Sequence, residues 1–593
     1  MRQILLSISL VAIVGGGGCG GGGGVSTSTV SGGGGGSVNV RAVNTTNAGS
    51  AAIGAAMSNA SISIQPLPAN PSTEVLLTAD DVGLFTVPST VSLPALVKAT
   101  SANGKYTHYG YIKSSDQVGV PVNPITTVLL TLASGGNPSA ITSAISDAAL
   151  ADAKTKTLTL FQHLLTATNQ SSAIDFLSKT FTTDHTGLDL ILDSVGIQLS
   201  ATGNLVVLNK LTGVMTNIEP SNITPIGFDT TAVSRMNTAP IQLCANFLNG
   251  LTSQTLTTDT SIYDANFLAS GRSRDDSMAE FREIASSDGF KFSMPIFEGF
   301  DSNGNLSFDV QLSTTAKEYI SDYRLTVKKH VTFNKCVLVG NLYPFEIRIQ
   351  PAIKTMIRMD GLTSNEVTKF AGLEIYVGAH GGWTFSANSI GSTPIKSARV
   401  DVCNSADVCT SLATLTNLNG AANGIFDIDG QSANNKLKIL QNSNVNLFTD
   451  ILNSIKITLF TSVSAPLTGS TNSIGVVYTR STAPVFTAAE VAALNMPTVS
   501  NASILTGTLS NPTLLWNSDS AVISELSVLS STISGIFEGK WKLILKKGTG
   551  STTFAFSDRG SPYRSISISA HIPNRPGMLE TKYIWAPTCS GCY

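Results

Sequence analysis

The sequence has few charged residues. Lys, Arg, Asp and Glu make up 13% of the 593 residues, about half of the usual fraction. The 37 basic and 39 acidic side chains leave a formal net charge of −2. A chain this close to neutral offers no electrostatic attraction to nucleic acid or to an anionic membrane surface. The composition therefore argues against nucleic acid as a partner.

Motifs of known catalytic and cofactor sites are also missing. The sequence has no G-x-S-x-G, no H-E-x-x-H, no G-x-x-x-x-G-K and no G-x-G-x-x-G that follows a strand. No two histidines stand at a spacing typical of metal ligands; they are His108, His163, His185, His330, His380 and His571. We predict no catalytic residue, no cofactor and no metal site, and we do not expect an enzyme.

Long apolar stretches are absent apart from a short one near the start of the chain. Arg2 precedes an apolar run from Ile4 to Val14, and small residues follow that run. The run is too short to span a bilayer, and the layout is typical of a secretory signal. We predict such a signal over residues 1–18.

The residues after the apolar run resemble the end of a bacterial lipoprotein signal. Gly18 supplies a small residue before Cys19, although Gly16 stands where that signal has an aliphatic residue. The resemblance implies that Cys19 carries a lipid and attaches the protein to a membrane, and Gly20 favours the outer membrane. The alternative is an ordinary secretory signal that leaves a free thiol at Cys19. Residues 19–36 are rich in Gly and Ser and predict a flexible tether after the anchor.

Six cysteines remain when Cys19 is set aside. An even number in an exported chain indicates disulfides. The sequence leaves the connectivity open among 15 arrangements. We expect local pairs: Cys244 with Cys336, Cys403 with Cys409, and Cys589 with Cys592.

Residues 37–120 have the pattern of a small antiparallel sandwich. Ile62 and Ile64 alternate with polar residues, and Asp80, Asp81 and Gly83 predict a turn within TADDVGLFTVPST. This stretch resembles the carboxypeptidase regulatory-like, transthyretin-like domains found near the start of many bacterial surface lipoproteins. The resemblance implies a noncatalytic module. The following segment, VPVNPITTVLL, resembles the one that comes after this sandwich in uncharacterised proteobacterial lipoproteins.

The rest of the chain divides into four further regions. A chain of this length is expected to form several domains. The fold class we predict is multidomain and mainly β, with antiparallel sandwiches, one helical layer and a cone-shaped α+β domain that resembles nuclear transport factor-like folds. The predicted regions are a helical region over 121–215, the α+β domain over 239–360, a β domain over 361–490, and a β domain similar to immunoglobulin and fibronectin III sandwiches over 499–593.

Three local patterns carry alternatives. Thr186 and Asp189 stand at capping-box spacing, and His185 follows Asp184, which could orient an imidazole for catalysis. The start of a helix explains the same residues. A weak calcium pattern, with a hairpin turn at Asn303-Gly304 as its alternative, consists of the oxygen ligands Asp301, Asn303, Asn305 and Asp309.

These observations favour a noncatalytic lipoprotein of the cell envelope with a binding, adhesive or scaffolding role. Its partners would be the membrane, through the amino-terminal lipid, and a surface polymer or a protein. One alternative is an envelope hydrolase whose site lies in the α+β domain, which would require a deep pocket with convergent titratable residues. Another is a subunit of a larger envelope assembly, which would expose a large apolar patch.

Overall fold

A computed structural model gives the fold of most of the chain after residue 47. It describes residues 48–171, 173–178, 182–199, 205–211, 215–228, 239–269, 272–301, 303–314, 319–340, 346–359, 367–378, 389–390, 393–394, 397–403, 409–416, 427–428, 454–460, 473–480, 486–531, 537–556, 558, 563–572 and 577–585. The predicted signal, the tether and Cys19, Cys589 and Cys592 lie outside these residues. The described fold is mainly β with several antiparallel sheets, which confirms the predicted fold class.

The first described module is a seven-stranded sandwich. One sheet has the order β4-β1-β7 and the other β3-β2-β5-β6. Ile62 and Ile64 are fully buried between polar neighbours, as the alternation predicted. The strands are β1 (Ala48–Ala51), β2 (Ser61–Pro66), β3 (Val75–Thr78), β4 (Leu84–Thr86), β5 (Ala95–Thr100), β6 (Thr107–Ile112) and β7 (Val120–Val122).

The predicted turn between β3 and β4 is present. Asp80 Oδ1 accepts hydrogen bonds from the backbone amides of Val82 (3.0 Å) and Leu84 (2.8 Å). Gly83 has a φ of +75°, and a Cβ there would lie 2.4 Å from the carbonyl oxygen of Ala51. The turn needs glycine at this position because a side chain would collide with the backbone of β1.

The next region combines helices with a small sheet. Helix α1 begins at Pro124, where Asn123 and Thr126 form a capping box; proline is compatible with the first helical turn. The helices are α1 (Pro124–Ser134), α2 (Asp147–Leu160), α3 (Gln162–Ala167) and α4 (Gly187–Ser194). The sequence did not predict a sheet here, but one of order β10-β9-β8 packs on the helices. Its strands are β8 (Val195–Leu199), β9 (Leu205–Asn209) and β10 (Met215–Ile218).

Helices precede an antiparallel sheet in the α+β region. The elements are α5 (Ile241–Asn249), α6 (Ser253–Thr258), β11 (Leu268–Ala269), β12 (Arg272–Ser273), α7 (Arg274–Asp288), β13 (Phe290–Phe300), β14 (Leu306–Thr314), β15 (Tyr319–Lys329) and β16 (Cys336–Leu338). Strands β13 to β16 form an antiparallel sheet in chain order. Its apolar core is filled by aromatic side chains, among them Phe281, Phe290, Phe292, Phe297 and Phe308.

A seven-stranded sheet joins two distant stretches of the chain. Its order is β18-β17-β30-β29-β27-β26, with β28 paired to β27, and β17 runs parallel to β30. The sheet crosses the domain boundary that the sequence placed at 360, because β17 and β18 pair with each other across it. The strands are β17 (Glu346–Arg358), β18 (Val367–Gly378), β26 (Thr498–Val499), β27 (Thr513–Ser531), β28 (Phe537–Thr553), β29 (Tyr563–His571) and β30 (Met578–Trp585).

A separate five-stranded sheet is inserted between β18 and β26, and helix α8 (Ala488–Ala493) follows it. Its order is β23-β22-β21-β24-β25. The inserted strands, with the short hairpin β19-β20, are β19 (Ser389–Ile390), β20 (Thr393–Pro394), β21 (Ser397–Cys403), β22 (Cys409–Thr416), β23 (Asp427–Ile428), β24 (Ser454–Phe460) and β25 (Ser473–Arg480). No helix within the described ranges is both long and apolar enough to cross a membrane.

Two of the predicted disulfides are present. Cys244 on α5 is bonded to Cys336 on β16, and Cys403 is bonded to Cys409 at the β21-β22 turn. The first bond joins the helices of the α+β module to the last strand of its sheet. The third predicted pair lies outside the described residues.

The sandwich and the α+β sheet share a buried junction. A bulge in β13 turns Met294 and Ile296 into the core of the sandwich, as β-bulges commonly re-aim side chains. Lys105 Nζ lies 2.6 Å from Asp322 Oδ2, and Asn103 Nδ2 donates to Asp322 Oδ1 at 3.0 Å. Apolar contacts and directional polar contacts therefore both fix this junction.

Candidate metal centre

Helix α4 lies where three modules meet. Leu190 belongs to the core of the α+β module, while Ile191 and Leu192 belong to the core of helices α1 to α3 and sheet β8-β10. A third side of the helix meets the sandwich at Gly54. Acidic side chains on α4 therefore have little access to water.

Three ligand-type side chains meet at α4. His185 precedes the helix, and Asp189 and Asp193 follow at intervals of four residues, so the helical repeat places the two carboxylates on one face. One imidazole nitrogen and one oxygen of each carboxylate lie within 4.8 Å of one another. We call these three residues the α4 cluster.

The backbone at His185 directs its ring into the cluster. His185 has a φ of +55°, which is uncommon for a residue other than glycine. Its amide donates to Asp189 Oδ2 at 2.7 Å, and its Nδ1 lies 2.8 Å from Asp193 Oδ2. Nδ1 lies 3.9 Å from Asp189 Oδ2. The left-handed conformation lets one residue contact both carboxylates.

Each carboxylate in the cluster keeps one oxygen unused. The side chains of Asp189 and Asp193 are 0% exposed, and that of His185 is 7% exposed. Within the described part of the chain, neither Asp189 Oδ1 nor Asp193 Oδ1 has a hydrogen-bond partner. Buried polar atoms without a partner are rare in folded proteins, and each costs free energy.

A glycine from the sandwich closes the cluster on the side of Asp193. Gly54 has a φ of +87°, and a Cβ at this position would lie 2.7 Å from Asp193 Oδ1. The same Cβ would lie 3.3 Å from the amide nitrogen of Asp193. Asp193 Oδ1 therefore faces the backbone of Gly54, and only glycine allows the backbone to come this close to it.

The charges in the cluster are strongly coupled. Burial lowers the pKa of His185, but the charge and hydrogen bond of Asp193 outweigh it and raise that pKa to about 9. Burial and the charge of Asp193 raise the pKa of Asp189 to about 8. An imidazole with two carboxylates is also a donor set that zinc and related divalent cations accept.

The sequence assigned different roles to these residues. The predicted capping box is wrong, because Thr186 makes no side-chain cap and Asp189 is turned inward to the amide of His185. Asp184 does not hold the His185 ring; its Oδ1 accepts from the amide and hydroxyl of Thr186. Asp193 was not singled out. The spacing H-x-x-x-D-x-x-x-D was the available signal, since helical periodicity brings such residues together.

The weak calcium pattern forms the hairpin that was its alternative. Asp301 Oδ1 accepts from the amides of Asn303 (2.9 Å) and Asn305 (2.8 Å), and Oδ2 accepts from Asn305 Nδ2 (2.8 Å). Gly304 has a φ of +82° at the tip of the turn. Asp309 lies on β14 and pairs with Arg324 at 2.9 Å. Asp301 and Asn305 therefore bond within the turn, whereas Asp309 bonds across the sheet.

The α+β module carries a surface cleft where the sequence suggested a ligand pocket. The cleft has a volume of about 250 Å³ and lies between Pro240, Phe300 and the lysines 328 and 329. Lys328 Nζ is held by Asp264 Oδ2 at 2.6 Å. Phenylalanine side chains fill the apolar core between the sheet and the helices, and the cleft lies outside that core.

The comparisons with known proteins place the chain in no family. No family model matches the sequence, and no curated protein matches it. One solved structure, a tetra-tandem repeat in the extending region of a large adhesion protein, aligns over 91% of this chain and 99% of its own at 8% identity, with a TM-score of 0.12. A similarity this low carries no argument about the fold or the function.

Proposed function

We propose that this protein is a noncatalytic lipoprotein of the bacterial cell envelope with a binding, adhesive or scaffolding role. In this proposal Cys19 carries the lipid, residues 19–36 form the tether, and the β modules present the working surface. The lipid anchor holds the protein at the outer membrane. The partner is a surface polymer or a protein.

One observation carries the proposal: the described modules share their cores. Met294 and Ile296 of the α+β sheet complete the apolar core of the sandwich, and helix α4 contributes to two cores at once. Modules joined in this way resist relative movement, because separating them exposes apolar surface. Modules fixed against one another suit a protein that holds or presents a partner.

The filled interior of the α+β module supports the noncatalytic role over the hydrolase alternative. A hydrolase site there would require a deep pocket with convergent titratable groups. Phe292, Phe297 and Phe308 are buried in that interior instead, with exposed fractions of 2%, 0% and 0%. The α4 cluster is buried as well, so a substrate would have no route to it.

The test is protease shaving of intact cells that express either the wild-type chain or Cys19→Ala. We expect the wild-type protein to be cleaved on intact cells and to fractionate with the outer membrane. The variant should be released from the membrane, because a single missing acyl anchor removes the main attachment. Membrane retention of Cys19→Ala, or wild-type protein in the cytoplasm, would contradict the proposal.

A further inference from the structure

We propose that His185, Asp189 and Asp193 bind one divalent cation of the zinc class, and that this ion fastens helix α4 at the meeting point of three modules. The inference goes beyond the proposed function. It concerns a buried site whose existence does not depend on the lipid anchor or on any surface partner.

The unused carboxylate oxygens are the first argument. The imidazolium of His185 satisfies one oxygen of Asp193, and the His185 amide satisfies one oxygen of Asp189. In the described structure the second oxygen of each carboxylate has no donor. A cation accepts lone pairs from several oxygens at once. A proton on His185 or Asp189 does not.

The charge balance is the second argument. Asp189 and Asp193 are both fully buried, and Asp184 adds a third carboxylate nearby. Paired buried carboxylates are costly unless a matching positive charge neutralises them. A divalent cation with a neutral imidazole balances the two aspartates completely.

The geometry is the third argument. Zinc binds imidazole nitrogen and carboxylate oxygen at about 2.0–2.2 Å, which separates tetrahedral ligand atoms by about 3.3–3.6 Å. The three ligand atoms already lie within 4.8 Å of one another. His185 Nδ1 lies 2.8 Å from Asp193 Oδ2 and 3.9 Å from Asp189 Oδ2, so rotation of the side chains, with the two aspartates held on one helix face, can bring the three atoms to these separations. Calcium prefers oxygen ligands alone, so the imidazole favours a cation of the zinc class.

The position of the site gives the ion a structural role. Helix α4 contacts the α+β core through Leu190, and Gly54 brings the sandwich backbone against Asp193. An ion that fixes His185 and both aspartates also fixes the segment before α4 and the helix itself. Loss of the ion is therefore expected to loosen the junction between the sandwich and the helical region.

The experiment uses the full chain, purified in detergent without a polyhistidine tag and stripped with a chelator. Zinc chloride is titrated calorimetrically into the wild type, Asp193→Asn, His185→Gln and the control Asp152→Asn. Asp152 is an exposed carboxylate that pairs with Lys156 on α2. Asn and Gln preserve side-chain size, and circular dichroism checks that each variant is folded. X-ray absorption of the zinc-loaded wild type then identifies the ligands.

We expect one zinc per chain, bound by one imidazole and oxygen donors at about 2.0–2.2 Å. Both cluster variants should weaken binding at least roughly tenfold, while Asp152→Asn binds as the wild type does. No stoichiometric binding to the wild type would overturn the proposal, as would unchanged affinity in the folded cluster variants. If the variants do not fold, the absorption spectrum decides alone: sulfur ligands or more than one imidazole overturn the site.

Discussion

The disulfide between Cys244 and Cys336 should be the larger covalent contribution to stability. It connects residues separated by 92 positions, whereas Cys403 and Cys409 are separated by 6. In the chain-entropy description a cross-link restricts the unfolded chain more when the closed loop is longer. The two separations correspond to about 4.6 and about 2.2 kcal/mol at 25 °C.

The perturbation is reduction of the wild-type protein, compared with the double variant Cys244→Ala/Cys336→Ala. Reduction removes the cross-link and leaves both buried side chains in place. The double variant removes the sulfur atoms as well. The double variant is reduced as well, so that Cys403–Cys409 is open in both proteins. Any difference between the two reduced proteins then measures packing, and the difference between oxidised and reduced wild type isolates the effect of the cross-links on the unfolded state.

The assay is hydrogen exchange of peptides from α5 and β16, because a multidomain chain has no single free energy of unfolding. We expect the opening free energy of these peptides to fall by about 4–5 kcal/mol on reduction, and that of the β21-β22 peptides by about 2 kcal/mol. Equal losses at both sites would refute the loop-entropy reasoning. So would a loss below about 1 kcal/mol at α5 and β16.

Three further predictions concern single residues. Burial lowers the pKa of His108 from 6.5 to about 3. The folded state therefore resists protonation, and its stability falls as the pH drops below 6.5. Between pH 7 and pH 5 the opening free energy of β6 peptides, measured by hydrogen exchange, should fall by about 2 kcal/mol in the wild type but not in His108→Gln. Lys105→Met leaves Asp322, whose side chain is 19% exposed, without its cation and should cost the junction about 2 kcal/mol in the same assay. Lys291→Met breaks the more exposed pair with Asp81 and should cost under about 1 kcal/mol. Gly340→Ala places a Cβ 2.0 Å from the carbonyl oxygen of Leu268 at a φ of +84°. The Cβ of Gly135→Ala meets open space, so this variant carries only the conformational cost of about 1–2 kcal/mol. Gly340→Ala should therefore lower the melting temperature more than Gly135→Ala does.

Local structure could be read from the sequence wherever neighbouring residues determine it. The alternation at Ile62 and Ile64 is set by the two-residue repeat of a strand, and the turn at Asp80 to Gly83 is set by an acceptor side chain and a glycine. The pairing of Cys403 with Cys409 followed from their proximity along the chain. Cys244 and Cys336, which are 92 positions apart, were paired only as consecutive cysteines in the sequence. In each case the physical cause lies within the motif or in a covalent constraint.

The long-range pairing could not be read in this way. Strand β17 pairs with β30 although a whole five-stranded sheet separates them in the chain. Alternating patterns show that each segment is a strand and which side faces a core, but they do not identify the partner strand. The domain boundary placed at 360 therefore fell between two strands that pair with each other.

The α4 cluster was missed for a different reason: Asp189 can either cap the helix or bond to His185. Aspartate three positions after threonine predicts a cap, since an exposed helix start leaves amides that need acceptors. At α4 the surrounding cores exclude water, so Asp189 lies against His185 and Asp193 instead of against the helix start. A local rule fails here because burial, which only the tertiary structure decides, changes the more favourable partner.

Polar residues at the junctions of this protein restrict the orientation of the modules. Apolar contact is not directional, so the packing of Met294 and Ile296 into the sandwich permits several orientations of similar free energy. The contact between Asn103 and Asp322, 219 positions apart in the sequence, is satisfied in one orientation only. Two buried aspartates on α4 cost more than two leucines would unless their charge is neutralised. A cation shared by His185, Asp189 and Asp193 would offset that cost and add the same orientational restriction around helix α4.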